Sequence, residues 1–157
     1  MYLVMFDIDG TLTETMKADE ECFVRSFKDV FGFTDIDTDW SLYPRTTDSG
    51  ILHDVCMSRI GRSPTAREVS QFRQHFIQLL AEVSSQSPFA PVAGADRLLS
   101  RLAQGGLHRV SLATGGWRDS ARLKMASAGM CFDDHPAASA DDALDRESIM
   151  RLSKQRA

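Results

Sequence analysis

Asp7 and Asp9 stand two residues apart at the end of an apolar run, Tyr2-Leu3-Val4-Met5-Phe6, and are followed at once by Gly10 and Thr11. In extended backbone, residues i and i+2 share a face, so the two carboxylates point one way and Ile8 the other. Like charges held that close repel unless something neutralises them. A hard divalent cation with oxygen ligands, such as magnesium, does so. Gly10 permits a sharp exit from the strand, and Thr11 adds a hydroxyl and an N–H near a bound anion. The second stretch with chemical content is Thr114-Gly115-Gly116, which follows the apolar run Val110-Ser111-Leu112-Ala113. A hydroxyl, two residues without side chains and a helix start make an anion site. The Thr114 hydroxyl donates, and the amides after it sit at the positive end of the helix.

Both stretches need strands to deliver them. Short continuous apolar runs fit buried strands of a parallel sheet, whose ligands bind outside the carboxyl ends of the strands. Between the two runs the periodicity becomes helical. Phe23, Phe27, Val30 and Phe31 form one stripe closed by Gly32; Ile51, Leu52, Val55, Cys56 and Ile60 form a second, entered through Thr46–Gly50 and closed by Gly61. Val69, Phe72, Phe76, Leu79, Leu80 and Val83 form a third, opened by a Thr65/Glu68 capping box. Trp40, Leu42 and Tyr43 precede Pro44 and read as extended or irregular chain. After Val92 the pattern predicts a helix over Gly94–Ala103 with Leu98, Leu99 and Leu102 inward, the strand at Val110, and a helix starting near Trp117. A short third strand within Pro136–Ala140 and a last helix opened by Arg146-Glu147 follow, with Asp141 and Asp142 as its cap acids or, alternatively, as acids behind a metal's direct ligands. The expected class is α/β with a parallel sheet and a helical insertion.

At 157 residues the chain has the length of one domain with a small insertion. A composition 43% hydrophobic and 25% charged excludes a disordered chain. The net charge of −4, with Lys and Arg dispersed, disfavours a nucleic-acid-binding surface. No run approaches the roughly 20 apolar residues of a membrane span, and no basic segment precedes the first apolar run as in a signal peptide. Three widely spaced cysteines, Cys22, Cys56 and Cys131, lack zinc-ligand spacing and point to a reducing compartment. The expectation is a cytoplasmic protein without nucleic-acid or membrane partners. His53 and His75 stand alone on helices and read as surface or packing residues.

The first strand with Asp-x-Asp-Gly-Thr resembles the first motif of the haloacid dehalogenase-like hydrolases, and the strand ending in Thr114 resembles their second. This resemblance implies a Rossmann-like three-layer core, residues 1–14 and 90–157, and an all-helical cap, residues 15–89, hinged near 13–16 and 89–92. It implies Asp7 as a nucleophile that takes up a phosphoryl group, and Asp9 as the acid that protonates the leaving oxygen and then activates water. Magnesium would be held by Asp7 and Asp9. Thr114, Gly10, Thr11, Gly115 and Gly116 would receive the phosphoryl group of a small phosphorylated metabolite. Asp at position 9 speaks for phosphoryl chemistry rather than dehalogenation. Arg45, Thr47 and Asp48 resemble a substrate-facing cap segment.

The family's third motif is a basic residue, usually Lys; here the candidates are Arg146, which would supply charge as a planar fork, and Lys124. The family also contains sugar-phosphate mutases, and a non-catalytic fragment is a further reading. The fourth motif, an acidic pair after a fourth strand, has no counterpart before Ala157. The sheet is therefore expected to be incomplete, with metal binding weakened. The Tyr2–Phe6 edge would stay open to pairing, as in a truncated chain with a damaged core, or be covered by a homodimer or by the cap.

Overall fold

A computed structural model describes all 157 residues. Three parallel strands, β1 (Tyr2–Phe6), β2 (His108–Ala113) and β3 (Ala137–Ala138), lie in the order β1-β2-β3. Tyr2 pairs with His108 and Phe6 with Leu112, while Leu112 and Ala113 pair with Ala137 and Ala138. The register sets the carboxyl ends of all three strands along one rim.

Strand alternation divides the core into layers. Val110 and Leu112 face one side, where they pack with Leu99 of α4 (Ala95–Gln104) and with Ala121 and Met125 of α5 (Arg118–Ser127). Ser111 and Ala113 face the other side. There Ala113 packs with Ile149 of α6 (Arg146–Arg156), and the Ser153 hydroxyl lies 3.0 Å from that of Ser111. This is an α/β/α arrangement, as the resemblance implies.

The insertion is helical throughout: α1 (Met16–Phe31), α2 (Asp48–Ile60) and α3 (Ala66–Gln86), with a single 3-10 turn at Trp40–Leu42. The Thr65/Glu68 capping box opens α3 in both of its reciprocal bonds. Phe23, Phe27, Phe72 and Phe76 meet at the centre of the insertion, all essentially solvent-free. Their ring pairs are mostly edge-on, the arrangement that aromatic quadrupoles prefer. The buried centre also takes in Trp117 from the start of α5, so the helical insertion and the sheet layer share one apolar cluster. The two connections run alongside each other: Glu14 N–H donates to the Ala90 carbonyl and Val92 N–H to that of Leu12, each at 2.9 Å.

Several local expectations are corrected. β1 lies at the sheet edge, as expected, but it is not buried: its first residues are exposed, Tyr2 at 72%, because β2 pairs with one side of it and little packs over its start. Leu98 points outward: Ala95, Leu99 and Leu102 follow i, i+4, i+7, and Leu98 falls one position off that stripe. Of the extended and irregular readings of residues 40–42 the extended one fails: they form a single 3-10 turn capped by Asp39. The N-cap of α6 is Asp145, which accepts the Ser148 N–H, and not Asp141 or Asp142. Cys22 and Cys56 are buried thiols, pushed up to about 11 chiefly by burial. No helix is long and apolar enough to cross a membrane.

Candidate active site

Each strand contributes from its carboxyl end. Asp7 directly follows β1, Thr114 directly follows β2, and the loop after β3 leads into Arg146 at the start of α6. Because Phe6 is opposite Leu112, Asp7 leaves β1 level with Ala113, one residue before Thr114, on strands roughly 5 Å apart. A crevice of about 500 Å³ opens over this rim, and Asp7, Asp9, Thr114, Gly115, Gly116 and Arg146 all line it. A slightly larger depression, about 600 Å³, lies beside the start of β2, between Leu99, Val110 and Met130. It gathers no strand-end hydroxyl with paired carboxylates, so the smaller one is the candidate site.

Asp7 is held at both oxygens. Oδ1 accepts the Ile8 N–H at 2.8 Å and Oδ2 accepts from the Arg146 guanidinium at 3.0 Å. Nε of Arg146 donates to the Thr46 carbonyl and hydroxyl at 3.1 and 3.2 Å, so one fork ties the first strand's acid to the helical insertion. Asp9 Oδ1 accepts from the Thr15 hydroxyl at 2.5 Å and lies 2.8 Å from the Lys124 ammonium, which also reaches Oδ2 at 3.0 Å. Of the two basic candidates, Arg146 thus faces Asp7 in the crevice, and Lys124 lies buried behind Asp9. Thr114 is buried, with its Oγ1 accepting the Gly116 N–H at 3.1 Å. A side chain at Gly115 would meet the Arg146 guanidinium at 2.9 Å and the Thr46 carbonyl at 3.0 Å, so any larger residue would have to displace the arginine from this position.

Other expected contacts lie elsewhere. Gly10 takes φ +73°, the left-handed turn that favours glycine, and its N–H is spent on the Thr13 carbonyl, as the Thr11 N–H is on that of Ile8. Neither residue lines the crevice. Arg45 turns to Asp54 and His53 and stays out of the crevice. Thr47 caps α2, accepting the Gly50 N–H and donating to the Leu144 carbonyl. Asp48 reaches the crevice wall, but its Oδ2 accepts the Trp117 N–H at 2.9 Å while its own N–H donates to the Gly115 carbonyl. Ser49 completes this clasp: it donates to the Ala140 carbonyl and accepts from the Trp117 indole. The segment read as substrate-facing therefore docks the insertion onto the loops after β2 and β3.

The same clasp alters the anion site. The first amides of α5 are occupied by protein carboxylates, that of Trp117 by Asp48 and that of Arg118 by Asp141 at 2.7 Å. Acids at a helix N-terminus complement its dipole, so the charge available to a phosphate here is Arg146 rather than the helix end. Burial raises the Asp48 carboxyl well above the usual range. Residues not expected at the site also line the crevice, among them Met16, Lys17, Asp19, Glu20, Trp40 and Thr46, all from the insertion and its entry.

This arrangement matches the profile of the haloacid dehalogenase-like hydrolases, which covers residues 1–152. The chain belongs to that family. Among solved structures, CbbY from Rhodobacter sphaeroides in complex with phosphate is similar, with a TM-score of 0.73 and 20% identity over 99% of this chain and 72% of that one. A mutant of the same protein in complex with xylulose-(1,5)bisphosphate gives 0.75 and 16% over the same shares. A hydrolase from Pseudomonas syringae gives 0.72 and 18%, over 99% of this chain and 70% of that one. At these identities the likeness is one of fold. No curated protein matches the chain significantly.

Members of this family are expected to use magnesium. No group of three or more His, Cys, Asp or Glu side chains encloses a metal position. Asp7 and Asp9 nonetheless both line one crevice, where Asp7 offers its carboxylate and Asp9 its backbone carbonyl, the Asp9 carboxyl being committed to Thr15 and Lys124. That donor set fits magnesium, which takes one or two carboxylates and fills its remaining positions with water and substrate phosphate.

Proposed function

We propose that this chain hydrolyses a small phosphomonoester in two steps through an aspartyl phosphate on Asp7. The observation that carries the reading is the meeting of Asp7, Arg146, Thr114 and Asp9 at the carboxyl ends of adjacent parallel strands. A carboxylate nucleophile splits one difficult displacement into two easier ones. In the first step an Asp7 oxygen forms a bond to phosphorus while the bond from phosphorus to the leaving oxygen breaks, and Asp9 gives that oxygen a proton. In the second step water attacks phosphorus, Asp9 takes up the water's proton, and inorganic phosphate leaves with Asp7 restored. Arg146 carries positive charge to the transferring group, and the Thr114 hydroxyl donates to a phosphoryl oxygen. Residues 1–14 and 90–157 serve as the catalytic unit, with residues 15–89 as the cap that selects the leaving group and limits water.

The charge of the crevice supports a divalent cation. Asp7, Asp9, Asp19, Glu20 and Asp48 line it against Lys17 and Arg146. A dianionic phosphate entering an acidic wall is repelled unless further positive charge is present. Magnesium, held by Asp7 and Asp9, would supply that charge when bound. Hydrolysis is favoured over a mutase reaction by Arg45: a mutase must also grip a second phosphate, and this cap cation is committed to Asp54 and His53.

The test is turnover of p-nitrophenyl phosphate with and without magnesium, beside Asp7→Asn. Metal-dependent release of phosphate that Asp7→Asn abolishes is expected. Equal turnover by Asp7→Asn refutes the covalent route, and the absence of both turnover and magnesium binding favours a non-catalytic chain.

A further inference from the structure

Lys124 has no part in the steps above, yet it is completely buried, on the apolar face of α5 beside Ala121 and Met125. Its ammonium touches both oxygens of Asp9, at 2.8 and 3.0 Å, and also contacts Asp19 in the first turn of α1. A lysine stem on an apolar face could be replaced by an apolar residue of similar volume with little loss of stability, because desolvating a buried ion pair consumes most of what the pair returns. Packing alone therefore does not account for a charge here. What the charge does is geometric. With the Thr15 hydroxyl on one side and the Lys124 ammonium on the other, the Asp9 carboxyl is gripped in one orientation. Asp19 in turn fixes the end of the lysine.

We propose that Lys124 is a positioning residue for Asp9 and that Asp19 holds Lys124 in place, which rests on the phosphatase reading above. Lys124 transfers no proton. It aims the carboxyl whose proton passes to the leaving oxygen as the bond to phosphorus breaks. Asp19 belongs to the cap helix and Lys124 to the catalytic unit, so the aim of Asp9 is set where the two units meet.

An acid that is merely displaced matters only when the leaving group needs a proton. The test compares kcat/KM, which reports the first transfer, on two esters in the presence of magnesium: β-glycerophosphate, whose alkoxide needs protonation, and dinitrophenyl phosphate, whose phenolate does not. Lys124→Met is expected to lose about 10²-fold on the alkyl ester, the usual cost of a catalytic group misplaced by about 1 Å, and less than about threefold on the activated ester. Asp19→Asn, which keeps the shape of the side chain, is expected to show the same selectivity with a loss of about tenfold. Should Lys124→Met not fold, the ester ratio of Asp19→Asn decides. Equal losses on the two esters, as a purely structural role gives, or no loss on the alkyl ester, overturn the positioning role and leave the phosphatase reading standing. A wild-type chain that turns over neither ester overturns both.

Discussion

Replacing Arg146 by alanine removes the cation that faces the proposed nucleophile. Nη1 of Arg146 stands 3.0 Å from Asp7 Oδ2, and the two side chains are 49% and 36% exposed. Unit charges at that distance attract by about 1.4 kcal/mol in bulk water and by about 5.5 kcal/mol at the effective dielectric of a protein surface. Half-exposed groups fall between these limits, at roughly 2–3 kcal/mol. A phosphoryl oxygen held where the guanidinium now reaches Asp7 feels a field of the same order. At 1.36 kcal/mol per tenfold, Arg146→Ala should therefore lower kcat/KM by about 30- to 150-fold, close to the loss on deleting one donor that stabilises a developing oxyanion. Arg146→Lys should fall in between, because an ammonium restores the charge but cannot span Asp7 and Thr46 together as the fork does. The assay is steady-state phosphate release from p-nitrophenyl phosphate at low and high ionic strength, and the effect should shrink with salt. A loss below about threefold would refute the electrostatic role. A gain would show that the ion pair only restrains Asp7.

Trp117→Ala should destabilise the chain by about 3–5 kcal/mol, the usual cost of removing a fully buried aromatic ring. Thermal melting should then fall by roughly 10 °C, and a shift under about 3 °C would show that the insertion does not depend on that ring. Stability in acid should fall between about pH 4 and pH 2, partly through Asp142. The Arg156 guanidinium beside it, aided by the Ser139 N–H, outweighs burial and holds its carboxyl at about 2. A carboxyl depressed in the folded state stabilises it above the unfolded value and loses that contribution as pH falls through the folded one, here ~2 kcal/mol. Asp142→Asn should flatten this part of a urea-midpoint profile against pH, and a profile parallel to the wild type would refute it.

Features that depend on local period and spacing were legible in the sequence. The Asp-x-Asp-Gly-Thr turn after an apolar strand, the Thr114 strand end, the three aromatic-rich stripes and the Thr65/Glu68 box all rest on residues within a few positions of each other. What escaped depends on partners far away in the chain. Thr47 and Ser49 bond to carbonyls at 144 and 140, and Asp48 bonds to the amide of Trp117, so nothing within Arg45–Asp48 itself announces a clasp. Asp141, whose position suggests a cap for the helix that follows it, caps the preceding one instead. The buried charges did carry a signal. Asp19 precedes Cys22, Phe23 and Ser26, Lys124 lies between Ala121 and Ala128, and Asp48 precedes Ile51, Leu52 and Val55, each at helical spacing on a buried stripe. A charge on an apolar stripe requires a partner, and three such charges on three helices point to one another.

That convergence also divides the work of the crevice. Its floor, Asp7, Asp9, Thr114, Gly115, Gly116 and Arg146, comes from strand ends whose register is fixed by the sheet. Its outer wall comes from the insertion. Met16, Phe23, Trp40 and Ile51 offer apolar surface, and Glu20 accepts the Trp40 indole N–H at 3.0 Å, which locks the aromatic plane in place. Groups that act on phosphorus need one geometry whatever the ester, and a rigid rim provides it. Groups that choose the alcohol must differ between substrates, and helices joined to the rim by two paired connections and a clasp can change without disturbing it. Asp9 is the exception, since its carboxyl is held by Thr15 at the entry to the insertion and by a lysine that Asp19 fixes from the cap side. The acid proposed to meet the leaving oxygen is thus the rim residue tied to the part of the molecule proposed to recognise it.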